Sequence, residues 1–144
     1  MESKTTYVPV LSIKSGVSDI DFYKKAFGAI ELWRLNNHDG SVHVAAFEID
    51  GAIFRLHEEG AGSLSPDKAD NTTVTIGLTP DDVHAVVEQA VVAGAILESP
   101  VVDYPYGYRQ GEIKDPFGHR WQVATRKEDV APAEMQKRWT ENMS

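Results

Sequence analysis

Glu48, Arg55 and His57 bring a carboxylate, a permanent guanidinium and an imidazole into one short stretch of chain. Their spacing decides whether they meet. Asp50-Gly51 sits between two alternating runs and is a strong signal for a two-residue hairpin. If Ile49 opposes Ala52, then Phe47 faces Phe54 and Ala45 faces Leu56, all on one apolar side. The other side carries Val44 opposite His57, Ala46 opposite Arg55 and Glu48 opposite Ile53. Arg55 then has two readings: an ion pair with its diagonal neighbour Glu48, or a cation that binds an anionic or carbonyl ligand. His57 and Glu58 suit acid/base work or a polar strand end at a rim. In this register His43 points to the opposite face, so no second imidazole supports a metal there.

A second group lies downstream. Tyr104-Pro105-Tyr106-Gly107-Tyr108 is an aromatic loop followed by Arg109. Binding loops often combine aromatic walls with few polar groups, which makes Tyr106 and Arg109 candidate pocket residues. Trp33 and Trp121 are expected in the core.

The elements that position these groups come in two similar sets. Gly28 and Gly94, each ending a helical run, are 66 residues apart. Gly51 and Gly118, each in a turn between strands, are 67 apart. A near-constant offset between unlike elements indicates an internal duplication. The first set reads as a strand over Val8–Ile13, a helix from Ser18 to Gly28, and strands over Ile30–Leu35, Val42–Ile49 and Ala52–His57. The stretch Glu58–Asn71 is rich in Gly, Ser, Asp and Pro and reads as a linker. The second set has strands over Thr73–Leu78, Ile96–Val102, Gln110–Lys114 and Arg120–Ala124. Its helix follows Thr79-Pro80, read as N-cap and first helical residue, and stops at Gly94. The duplication equates Gln122 with Arg55 and makes Gln122 a further candidate. The open faces of both half-sheets are expected to share one concavity. Pro132 can start a C-terminal helix whose Met135 and Trp139 share a face.

These patterns define one domain over 1–144, with βαβββ modules at 6–59 and 72–126 and a helical tail at 127–144. The fold class is α+β. The formal net charge is −8 and basic residues occur only in isolated pairs, which argues against nucleic acid as a partner. Cysteine is absent, so disulfides and thiolate ligands are excluded. No apolar run approaches the ~20 residues of a membrane span. A soluble, cytoplasmic protein is expected.

Five segments together carry a family pattern: Asp21–Ala29, Ala93-Gly94-Ala95, Tyr106–Arg109, Asp115–Trp121 and Ala124–Asp129. The chain resembles the vicinal oxygen chelate superfamily of glyoxalases, bleomycin-resistance proteins and extradiol dioxygenases, with the nearest likeness to its PhnB-like branch. The resemblance implies eight strands curled around a cleft, and a homodimer. It also implies a divalent metal held by four His, Gln or Glu side chains from the first and fourth strand of each module. Those positions map to Val8, Arg55, Thr75 and Gln122. Val8 has no donor atom, Thr75 is a weak neutral ligand and Arg55 repels a cation. The expectation is therefore a small organic ligand in a cleft without the usual metal and without another cofactor. Glu48, Arg55, His57, Thr75, Tyr106, Arg109 and Gln122 are its candidate contacts. The alternative is a lyase or dioxygenase-type enzyme with a relocated metal, or metal-independent acid/base chemistry by Glu48, His57 or Arg109.

Overall fold

The computed structural model describes residues 4–142. The element order is β1 (Val10–Ile13), α1 (Phe22–Phe27), β2 (Ile30–Asn36), β3 (Val42–Ile49), β4 (Ala52–Glu58), α2 (Pro66–Ala69), β5 (Thr75–Leu78), α3 (Val83–Ala93), β6 (Ile96–Asp103), β7 (Tyr108–Lys114), β8 (Arg120–Arg126) and α4 (Pro132–Asn142). The fold is α+β, with two four-stranded mixed sheets ordered β1-β4-β3-β2 and β5-β8-β7-β6. In each sheet the first strand runs parallel to the fourth, and the other pairs are antiparallel.

The Asp50-Gly51 hairpin has the register that its turn and alternation predict, from Ile49↔Ala52 to Val44↔His57. Phe47, Phe54 and Leu56 are buried on one face. α1 is shorter than the run from Ser18 suggests. It starts after Asp21, whose side chain makes no capping bond. It stops at Gly28, where φ is 68°; the Gly28 amide donates to the Lys24 carbonyl and the Ala29 amide to the Tyr23 carbonyl. That left-handed conformation suits glycine.

The start of α3 differs from the expectation at Thr79-Pro80. Asp82 is the N-cap, and its carboxylate accepts the Ala85 amide at 3.0 Å. A carboxylate also meets the positive end of the helix dipole, which a threonine hydroxyl does not. The linker is ordered around α2, where Ser65 caps the helix and is fully buried.

One hydrophobic cluster spans both halves. Its centre is aromatic. Tyr23 of α1 lies 5.1 Å from Phe54 and 5.8 Å from Trp121, ring centre to ring centre, and Phe54 lies 5.4 Å from Trp121. Phe54 and Trp121 spring from the buried faces of different sheets. The buried faces of both sheets therefore contribute to one core, with α1 packed against α3. The Asp115 carboxylate locks this junction. One oxygen accepts from Tyr23 Oη and Trp121 Nε1, and the other from the amides of Phe117 and His119.

Burial, and then the Asp115 carboxylate beside it, hold the Tyr23 hydroxyl well above its usual pKa. A folded-state pKa raised in this way gives stability that is intact below the unfolded value of about 10 and is lost as pH rises beyond it. Unfolding free energy measured by denaturant titration should fall above roughly pH 10. The fall should be shallower in Tyr23→Phe, and an equal slope would refute this origin.

Candidate functional site

The open face of the first sheet is built from rows of register partners. One row runs Val10, Arg55, Ala46, Trp33 across β1, β4, β3 and β2. The next rows place Glu48 between Ile53 and Ile30, and Val44 between His57 and Leu35. The equivalent row of the second sheet runs Gly77, Gln122, Glu112, Ser99. The duplication thus persists in the pairing itself: Val10 matches Gly77, Arg55 matches Gln122 and Ala46 matches Glu112.

Glu48 and Arg55 share a face but do not pair. Each is half-buried, and neither has a hydrogen-bond or ion-pair partner among the described residues. The same holds for Gln110 and Gln122 on the second sheet. The structural ion-pair reading of Arg55 is therefore not realised. Trp33 is a correction of another kind: it lies 44% exposed beside this row rather than in the core, and Leu35, Ile30, Ile53 and Val10 around it are also exposed. Trp121 is buried as expected.

Residues of both open faces, Ile53 of the first sheet and Gly77 of the second, line one cavity of about 500 Å³ together with Tyr7, Phe54 and Trp121. Alternation along each strand assigns a residue to a face, but it does not say which faces meet.

Thr75 is exposed on the second open face, in register with Arg120. Arg109 falls on the other side of β7, with Gly111 and Ile113. Its guanidinium donates to both Asp103 oxygens, at 2.6 and 3.1 Å, and that contact holds its pKa above the ordinary value. Tyr106 is separated from it. Tyr106 stacks on Tyr104 at 5.3 Å and meets Trp139 of α4 at 6.4 Å. A cavity of about 320 Å³ lies between Tyr106, Pro132, Met135, Gln136 and Trp139. Arg138 fastens α4 to this loop through both Glu128 oxygens, at 2.8 and 3.0 Å, and the Pro105 carbonyl at 3.2 Å. Gly107 makes the loop possible: φ is 97°, and a Cβ there would lie 2.9 Å from the Glu128 carbonyl oxygen.

His57 donates Nδ1–H to the Glu58 carbonyl at 2.6 Å. His43 was expected on the far face, yet its ring lies 4.9 Å from that of His57. The two strands end here, and the side chains close around Glu58 instead of staying on opposite faces. The sequence reading also missed Gln110 and Glu112, which share the open face with Gln122. Alternation around buried Ile113 and Gly111 was the available signal.

The family metal can be tested against these positions. Val8 precedes β1 and has no donor atom, Arg55 is a cation, Thr75 is a weak donor, and Gln122 is left as the one plausible ligand among the four. The set does not fit a divalent ion. Among the described residues no group of three or more His, Cys, Asp or Glu side chains is arranged to hold one.

Comparison with known proteins identifies the lineage. The glyoxalase/bleomycin resistance protein/dioxygenase superfamily model matches residues 18–123. The chain belongs to that superfamily. An uncharacterized protein of Mycobacterium bovis is 38% identical, covering 89% of this chain and 88% of its own. The X-ray structure of the Arabidopsis thaliana At5g48480 product superposes with a TM-score of 0.66 at 29% identity, covering 85% of this chain and 99% of the other. TioX from Micromonospora sp. ML1 superposes at 0.65 with 23% identity, covering 84% and 99%, and so shares the fold. No described helix is long and apolar enough to cross a membrane.

Proposed function

We propose that this protein binds a small organic molecule against its open sheet faces, without the metal centre common in its superfamily, in a cleft completed by a second copy of the chain. The observation that carries this reading is the set of half-buried polar groups without partners: Glu48, Arg55, Gln110 and Gln122. Partly desolvated groups left unpaired are costly unless something else satisfies them. Trp33, Leu35, Ile30, Ile53 and Val10 add exposed apolar surface around Arg55. Such surface, rimmed by polar groups, marks ligand or protein contacts. A homodimer that places the first sheet of one copy against the second sheet of the other would bring Arg55 and Gln122 to one site. We propose further that the chain belongs to the PhnB-like branch of the superfamily.

A thermal-shift screen of small aromatic and aliphatic carboxylates, with their neutral amides, tests it. Binding should raise Tm, and Arg55→Ala should weaken carboxylate binding by about 1.5–3 kcal/mol, roughly ten- to hundred-fold in Kd. Gln122→Ala should weaken it too. Carboxylate affinity that survives both substitutions would overturn the proposal. Sedimentation showing only a monomer at all concentrations would overturn the shared cleft.

A further inference from the structure

We infer that His43 and His57 form a two-imidazole site for a divalent transition-metal ion of the Zn²⁺, Ni²⁺ or Cu²⁺ class, at the end of the first sheet and apart from the four family positions. This inference stands independently of the ligand-binding proposal. It begins with Glu58, which holds both rings. Its side-chain oxygen Oε1 lies 2.8 Å from His43 Nδ1, and its backbone carbonyl oxygen lies 2.6 Å from His57 Nδ1. Asn37 Nδ2 donates to the other carboxylate oxygen at 3.1 Å and so fixes the carboxylate in turn.

A carbonyl or an ionised carboxylate oxygen can only accept. Both rings must therefore carry their proton on Nδ1. In the neutral form each Nε2 keeps its lone pair, and neither Nε2 has a hydrogen-bond partner among the described residues. This is the arrangement that metal-binding histidines require. The second ring nitrogen donates to a carboxylate or backbone carbonyl, which sets the tautomer and raises the basicity of the ligating nitrogen.

The rings are close enough to act together. Their centres are 4.9 Å apart and their planes cross at 63°, so both belong to one small cluster. Two neutral imidazoles suit borderline cations, while Ca²⁺ and Mg²⁺ prefer oxygen. Glu58 supplies negative charge beside the ion. His43 is 45% exposed and His57 is half-buried. Two protein ligands leave the remaining coordination positions to water or to a bound molecule. His57 lies on the open face that also carries Arg55, one row away.

The test is titration of the full chain with Cu²⁺ and with Zn²⁺ alone at neutral pH. Isothermal titration calorimetry gives affinity, and electron paramagnetic resonance of the Cu²⁺ form gives ligand identity. The expected result is one tight site per chain whose spectrum shows coupling to two imidazole nitrogens. His43→Gln and His57→Gln should each weaken binding by more than about 10-fold, the lower range for losing even an outer-shell partner. The double variant His38→Gln/His84→Gln removes exposed histidines elsewhere and should leave affinity unchanged. Circular dichroism checks that each variant is folded. A spectrum with one nitrogen, unchanged affinity in either single variant, or loss of binding in the His38/His84 variant overturns the inference.

Discussion

Asp115→Ala is expected to remove about 2–6 kcal/mol of folding free energy, because two buried donors lose their acceptor at about 1–3 kcal/mol each. The carboxylate is 2% exposed and accepts four hydrogen bonds. Truncation leaves the Tyr23 hydroxyl and the Trp121 indole N–H in a closed aromatic core without acceptors. Each orphaned group costs about 1–3 kcal/mol. It also frees the turn that carries Phe117 and His119. A domain of ordinary stability has only about 5–15 kcal/mol in total, so the variant should sit near the edge of folding. Asp115→Asn keeps one acceptor oxygen and should fall between the two. Urea titration at neutral pH measures both, and a midpoint for Asp115→Ala within about 1 kcal/mol of the parent would contradict this account of the junction.

The second large effect separates the two tryptophans. Trp121→Ala should cost about 3–5 kcal/mol, because a large aromatic deleted from a close-packed core leaves a cavity. Its ring touches Phe27, Phe54 and Tyr23, so the loss loosens both sheets at once. Trp33→Ala should change monomer stability by only about 0.5 kcal/mol, as expected for a partly exposed surface position. Its effect should appear instead in dimerisation or ligand binding. Thermal melts of the two variants make the comparison directly. Similar losses in Tm would mean that the outer face of the first sheet is as tightly packed as the core.

Much of the architecture was legible because local chemistry and long-range pairing agree. Asp50-Gly51 set a hairpin and alternation set its faces, so every pair from Ile49↔Ala52 to Val44↔His57 followed. Gly28 and Gly94 marked helix ends for the same local reason. What failed was of a different kind. Thr79-Pro80 is a good helix start in isolation, but β5 runs to Leu78 and the Asp82 carboxylate caps better three residues later. Arg109 follows an aromatic loop, and its Asp103 partner across the β6–β7 ladder was not visible in that local pattern. The relation between the two sheets was not legible at all. It depends on Tyr23, Phe54 and Trp121 meeting, and no short-range pattern encodes that. The imidazole pair was hidden similarly, since ideal alternation places His43 and His57 on opposite faces.

The Tyr23–Asp115 lock has a consequence for how the two halves came to differ. By the offset that relates the helices and the third strands, Tyr23 corresponds to Gln89, and Asp115 corresponds to Ile49. The lock therefore exists on one side of the pseudo-symmetric core only. Two copies of the second half would bury two Asp115 carboxylates with no tyrosine to meet them. Two copies of the first would present two Tyr23 hydroxyls to Ile49. Each half has become obligate for the other. A symmetrised protein built by repeating either half would need this position redesigned first, and any half-length ancestor must have closed its core without it.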